Sequence, residues 1–305
     1  MSTLVSYATV GLAEDVSQTI ANISPTSTPF QTLVKSEKVS ARTFEWLEDS
    51  IRAAGVNALV EGADASTTAI AQPTTRSNTT QIIGEAFKVA ATVDAVKTHG
   101  RAKETAYALA KTLKAIKLDV EKAMIGVDQA AVTGSASAAR KMASVSQQIS
   151  TTVDAGSNST DALTEAKLLE LHQDCYENGS DPSVLMIKPA DATIVANFAT
   201  ASSRERDFGS SKTLVNAIEV LVTPFGEIRT LINRNQLSTH AFLIDPSMFK
   251  QCVLRPFTRT LLAKNGDSDT HFCVGEVSVK HSNFSDSGMI TGLKLLCLTE
   301  TSPTQ

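Results

Sequence analysis

Aromatic side chains are scarce: one Trp, three Tyr and eleven Phe make up 5% of the 305 residues. A platform for carbohydrate or single-stranded nucleic acid needs stacked rings, so neither class fits. An excess of cations is lacking too. With 28 Lys and Arg against 32 Asp and Glu the formal charge is −4, without the electrostatic footprint of a dedicated DNA- or RNA-binding protein. Nucleic acid near such a chain would be contained rather than gripped. The four cysteines, Cys175, Cys252, Cys273 and Cys297, form no CxxC and no metal spacing. They read as buried free thiols in a reducing cytosol. No apolar run is long enough to cross a bilayer, and no basic-then-apolar leader opens the chain, so no membrane partner is expected.

Motifs of chemistry are missing as well. There is no GxxxxGKS/T and no GxGxxG to cradle a phosphate, and His99, His172, His240, His271 and His281 show no HExxH or paired-ligand spacing. No cofactor and no metal is therefore expected. A GDS triplet lies in Asn265-Gly266-Asp267-Ser268-Asp269, three residues before His271. A hydrolase needs its serine on a strained turn with a positioned base, whereas short polar strings of this kind form hairpin turns. No catalytic residue is expected. Glu61 and Asp64 are two carboxylates on one loop, too few for a dedicated cation site.

What the chain does have is length and order. At this size it buries about three quarters of its unfolded surface and is long enough for two domains. Its most informative stretch is Ile23-Ser24-Pro25-Thr26-Ser27-Thr28-Pro29-Phe30. Two prolines, each after Ser or Thr, forbid a continuous helix and hold the backbone extended. An extended arm has few partners in its own domain, so Ile20, Ile23 and Phe30 are expected to pack against another copy. Residues 40–48 alternate around Phe44 and Trp46, and a second alternating run covers 81–93. Together they predict a long hairpin whose tip carries Glu61-Gly62-Ala63-Asp64-Ala65. A lone two-stranded ribbon is marginal in water, which again points to a neighbouring subunit.

Beyond residue 93 the period changes. Leu109, Leu113, Ile116, Val120, Met124 and Val127 predict an amphipathic helix over 94–131, ended by Gly134. A polar break at 150–160 is followed by a helix at 161–178, a buried strand at 184–187 and a short helix from Pro189 to Phe198. A charged loop at 202–209 precedes a hairpin over 217–232 that turns at Thr223-Pro224-Phe225-Gly226. Strands at 241–244, 272–280 and 293–298 complete the chain, with the alternation slipping phase at Gly275-Glu276 as a bulge would make it. Helices and strands mixed without a βαβ rhythm give an α+β class.

In this order the pieces resemble the major capsid proteins of tailed double-stranded DNA bacteriophages, in particular the group in which an ISP-x-x-TPF arm precedes an aromatic EW strand. The residues that carry the resemblance are Ile23-Ser24-Pro25, Thr28-Pro29-Phe30, Glu45-Trp46, the loop Val60-Glu61-Gly62-Ala63-Asp64-Ala65 and Gly100-Arg101-Ala102-Lys103-Glu104. Later come Pro224-Phe225-Gly226, Leu243-Ile244-Asp245-Pro246, Leu254-Arg255-Pro256-Phe257 and Ala263-Lys264-Asn265-Gly266-Asp267-Ser268.

The resemblance implies the tailed-phage major capsid fold. Its parts would be an N-terminal arm (1–39), an extended hairpin loop (40–93), a peripheral domain with a spine helix (94–139 and 241–305) and an axial domain (140–240). It implies a structural, non-enzymatic subunit that assembles as hexamers and pentamers into an icosahedral shell, built in the host bacterial cytoplasm and carried in the virion. DNA would be packaged without sequence-specific binding. The implied partners are a portal, a decoration protein and a separate scaffolding protein, because the arm begins almost at Met1. Phe30 and Trp46 are then expected as apolar anchors between copies. Glu61, Asp64, Arg101, Arg255 and Arg259 would set register by charge, and Arg204 and Arg206 would approach the capsomer centre. The alternative is a bacterial protein-compartment shell of the same fold. A filament or surface-layer subunit fits less well with a strand-like C-terminus, and an enzyme least of all.

Overall fold

The computed structural model describes residues 27–52, 54–58, 61–62, 64, 70, 72–96, 103–156, 161–201, 220–264 and 266–294. Two sheets and a long helix organise them. The helix is α3 (Glu104–Ile125), which buries Ile116, Val120, Met124 and Ile125 along one stripe. Leu113, expected on that stripe, is 44% exposed. The helix is shorter than the 94–131 read from the periodicity. At its start a separate short helix, α2 (Ala91–Ala95), precedes it. At its end Gly126 packs so tightly under the carbonyl of Asn235 that a Cβ would collide with it.

α3 lies on a four-stranded sheet, in the order β1 (Lys35–Lys38), β10 (Phe249–Leu261), β11 (Ser268–His281) and β4 (Gln81–Ala90). The second sheet has six strands, in the order β5 (Thr151–Asp154), β12 (Gly288–Thr291), β9 (Ala241–Ile244), β6 (Val184–Ile187), β8 (Gly226–Ile232) and β7 (Val220–Thr223). Helices α4 (Glu165–Glu177) and α5 (Pro189–Ala201) accompany it, with Thr164 capping α4. Residues 241–244 and 288–291 were expected in the peripheral sheet with the spine helix. They belong instead to the sheet built from 151–232, because β9 pairs with β6 and β12 pairs with β5.

Every residue of β6 and β9 is buried, which requires cover on both faces. The period of two divides them between two cores. Val184, Met186, Phe242 and Ile244 join α3, Phe30 and Phe249 in one cluster, while Leu185, Ile187 and Leu243 join Leu168, Leu171 and Val195 in the other.

A third, two-stranded unit stands apart: β2 (Thr43–Glu48) pairs antiparallel with β3 (Thr74–Thr79), from Thr43 opposite Thr79 to Glu48 opposite Thr74. The hairpin expected around 40–93 therefore exists, but its returning strand is 74–79 and not 81–93. The alternation at 81–93 has another cause: β4 pairs with β11 and lies under α3, so Ile83 and Val89 are buried there.

The phase slip at Gly275-Glu276 also has its cause in a partner. β10 runs from Val253 to Thr258 while β11 runs only from Val277 to Val274. The surplus residues bulge out on β10, where Pro256 lacks the N–H that a ladder would require. The Phe257 ring then covers Gly275, where a Cβ would sit 2.5 Å from its Cδ1.

Candidate assembly surfaces

The arm turns back into its own chain. α1 (Pro29–Leu33) begins at Pro29, and the N–H groups of Phe30 and Gln31 donate to the two carboxylate oxygens of Glu121 on α3, at 2.8 and 3.0 Å. Thr28 makes no side-chain cap, so a carboxylate from a distant helix satisfies these otherwise unpaired donors. Glu121 is fully buried and also accepts from Asn233 Nδ2 at 2.8 Å. Phe30 is fully buried too, edge-on to Phe249 with ring centroids 5.8 Å apart. The expectation that Phe30 anchors a neighbouring copy is thereby corrected: once Pro29 starts a helical turn, the side chain points into the subunit's core.

From Phe249 the ring contacts continue. His281 stacks on Phe249 at 4.1 Å, Phe284 on His281 at 5.9 Å, then Trp46 at 6.3 Å and Phe44 at 5.7 Å. Five of the fifteen aromatic residues, with His281 among them, thus form one ladder from the arm to the base of the hairpin. Cations close over it: the Arg76 guanidinium lies 4.4 Å from the Phe284 centroid and pairs with Glu48, and Lys280 Nζ lies 5.7 Å from Trp46. Trp46, expected to anchor another copy, packs partly buried within its own subunit.

Two polar joints fix the hairpin's root. The buried Asn78 amide donates to the Val279 carbonyl at 2.7 Å, and its oxygen accepts from the Ala143 N–H at 2.8 Å. Glu276, buried in β11, accepts from the Thr80 hydroxyl at 2.6 Å and pairs with Arg140 and with Arg255 Nε, the latter at 3.0 Å. Arg255, expected to set register between copies, is held by this carboxylate within the chain, with its side chain 56% exposed.

Burial moves the pKa values of several groups with few or no ionic partners. His281 has its Nδ1 2.8 Å from the Gln148 carbonyl, its Nε2 has no partner, and burial pushes its pKa down to about 4. Asp286, buried near Asp245, is pushed up to about 6 by desolvation and then by that neighbouring charge. Burial raises the thiols of Cys175 and Cys252 to about 12, which leaves them unreactive. The GDS string forms the turn from β10 into β11, with Gly266 at φ 84°.

Outward surfaces lie elsewhere. Glu61, Asp64 and Arg259 are exposed, while Arg101, Arg204 and Arg206 lie outside the described residues. Sequence reasoning missed the bare apolar groups of the hairpin: Leu47 is 68%, Ile51 97%, Val56 101% and Ile70 89% exposed. Val56 and Ile70 sit in a polar, Gly/Ala/Thr-rich stretch where no periodicity marks them, and Leu47 lies on the face of β2 opposite Trp46. It also missed Glu121, whose one signal is its place on the edge of the apolar stripe beside Val120.

A hairpin outside both sheets, a spine helix and two sheets packed around them agree with what the comparisons find. The SU10 major capsid protein family matches residues 3–294. The chain belongs to that family. The major capsid protein of Escherichia phage Phieco32 is 27% identical, over 94% of this chain and 96% of that protein. Among solved structures, the capsid of a native GTA particle superposes with a TM-score of 0.67 at 12% identity, covering 95% of this chain and 97% of that one. The cyanophage A-1(L) capsid gives 0.66 at 12%, covering 93% and 98%. The SrpI encapsulin of Synechococcus elongatus PCC 7942 gives 0.61 at 9%, covering 92% and 93%. This capsid subunit therefore has the α+β tailed-phage major capsid fold. The compartment shell shares that fold alone, and the family match assigns the chain to the phage capsids.

Proposed function

We propose that this phage major capsid protein assembles as hexamers and pentamers into a closed icosahedral shell around double-stranded DNA, with the β2–β3 hairpin as the element that reaches the next subunit. The observation that carries this is the hairpin's bare apolar surface at Leu47, Ile51, Val56 and Ile70, on a ribbon that belongs to neither sheet. Such a ribbon gains its stability by lying on a neighbour, and many contacts of this kind hold a shell by multivalency. On this reading α3 with the four-stranded sheet is the peripheral part and the six-stranded sheet the axial part. Glu61, Asp64, Arg101 and Arg259 tune register, and Arg204 and Arg206 face the capsomer centre. Assembly takes place in the host bacterial cytoplasm, with a separate scaffolding protein, a portal and a decoration protein as partners and no catalytic step. The test is electron microscopy and light scattering of the purified chain, alone and co-expressed with candidate scaffolds. Closed shells, hexamer sheets or tubes are expected from the parent, and folded, unassembled subunits from the double variant Ile51→Asp, Val56→Asp. A parent that stays monomeric with every scaffold, or a variant that assembles normally, would overturn the reading.

A further inference from the structure

A groove of about 440 Å³ opens where α1 meets the six-stranded sheet. Its apolar walls are Pro29 and Leu33 of α1, Val184 of β6 and Leu231 of β8, and Lys117 of α3 and Arg229 of β8 place two cationic side chains on it in a chain whose net charge is negative. Thr28 also lines it, 4% exposed, with a hydroxyl that has no hydrogen-bond partner. A buried hydroxyl left unpaired costs free energy until a polar group reaches it. The groove thus asks for an occupant with apolar side chains, an acidic group and a backbone or side-chain polar atom for Thr28.

The chain carries such a segment at the groove's mouth. Ser27 is itself a lining residue, and residues 1–26 lead directly into it. Glu14 and Asp15 are the only acidic residues before Glu37, and Val16, Ile20 and Ile23 follow them at steps of four and three. That spacing sets apolar side chains on one side of a helix. Ile23 lies four residues before Ser27, within about 14 Å even when fully extended. We propose that residues 14–26 occupy this groove in their own subunit, with Ile20 and Ile23 on the apolar walls and Glu14 and Asp15 toward Lys117. The short tether favours the same copy over a neighbour, because it holds the segment at an effective concentration in the millimolar range.

The first readout is hydrogen exchange on the full-length, unassembled parent chain. Amides of residues 16–26 should exchange at least tenfold more slowly than those of residues 1–10, and Leu231→Asp should abolish the difference. The second is a disulfide between Ile23→Cys and Leu33→Cys, formed in an equal mixture of nitrogen-14 and nitrogen-15 subunits. Linked peptides of a single isotope are expected, with the yield falling several-fold in Lys117→Glu and recovering when Glu14→Lys and Asp15→Lys are added. Unprotected amides in the parent would overturn the proposal, and so would linked peptides of mixed isotope, which would make a second copy the occupant.

Discussion

His281 shows how a single side chain ties the subunit's stability to pH. It lies between Phe249 and Phe284, and burial outweighs the Gln148 carbonyl and the nearby charges of Glu48 and Asp245, so its pKa falls from the ordinary 6.5 to about 4. Below pH 6.5 the unfolded chain takes up a proton that the folded chain refuses. The contribution is therefore complete above 6.5 and drains away as the pH falls toward 4, by up to about 3 kcal/mol. Asp286 acts in the opposite sense: raised from 3.8 to about 6, it stabilises the fold below 3.8 and loses that contribution as the pH rises through 6. His281→Phe keeps the stack and removes the titration. It should cost about 1 kcal/mol at pH 7, for the lost hydrogen bond to the Gln148 carbonyl. The further loss between pH 7 and pH 5 should then be visibly smaller than in the parent by urea unfolding. Parallel pH profiles for the two proteins would show that the ring does not titrate on unfolding.

Among the elements, the paired strands β10 and β11 make the sharpest demand. Gly275 has no room for a Cβ under the Phe257 ring, so Gly275→Ala should destabilise the subunit by about 1–3 kcal/mol through overpacking. Phe257→Leu in the same chain should return part of that loss, and a double-mutant cycle with no coupling would place the strain elsewhere. The same strands show what was legible in the sequence. A disturbance at Gly275-Glu276 could be read from one strand's alternation, but its source in Leu254-Arg255-Pro256-Phe257 belongs to the partner and appears only once register is known. The strand at 74–79 was illegible for a related reason. Its residues, Thr-Thr-Arg-Ser-Asn-Thr, carry no apolar alternation, and what fixes its root is the Asn78 amide bonded to the distant Val279 and Ala143. Short buried strands such as 184–187 and 241–244 were legible because both faces are covered and every position is apolar. The candidate surfaces were legible only as motifs. Trp46 and Phe30 stood out as large apolar groups, yet which neighbour they meet depends on a turn at Pro29 and on ring contacts with residues more than two hundred positions away.

For the molecule as a whole, the six-stranded sheet is the common wall of both cores. Met186 and Phe242 face one, and Leu185 and Leu243 the other. Neither core can lose its wall without exposing the second, so the unassembled subunit should melt in a single calorimetric transition with equal van't Hoff and calorimetric enthalpies. Two resolved transitions would mean that the helical layer of α4 and α5 is held independently of α3.

The pairing of β1 with β10 and of β4 with β11 has a consequence in time. Lys35 meets Lys250, and Gln81 meets Val277, so both outer strands of the four-stranded sheet are made long before the inner strands they bond to. On a ribosome adding about 5–20 residues per second, the arm and the hairpin root wait roughly ten to forty seconds for their partners. Glu121 can hold α1 earlier, but the aromatic ladder cannot close until Phe249, His281 and Phe284 emerge. Synthesis itself thus acts as a timer. The hairpin acquires a fixed root only after nearly the whole chain exists, and a nascent subunit has no rigid hairpin to offer a neighbour before its own fold is complete.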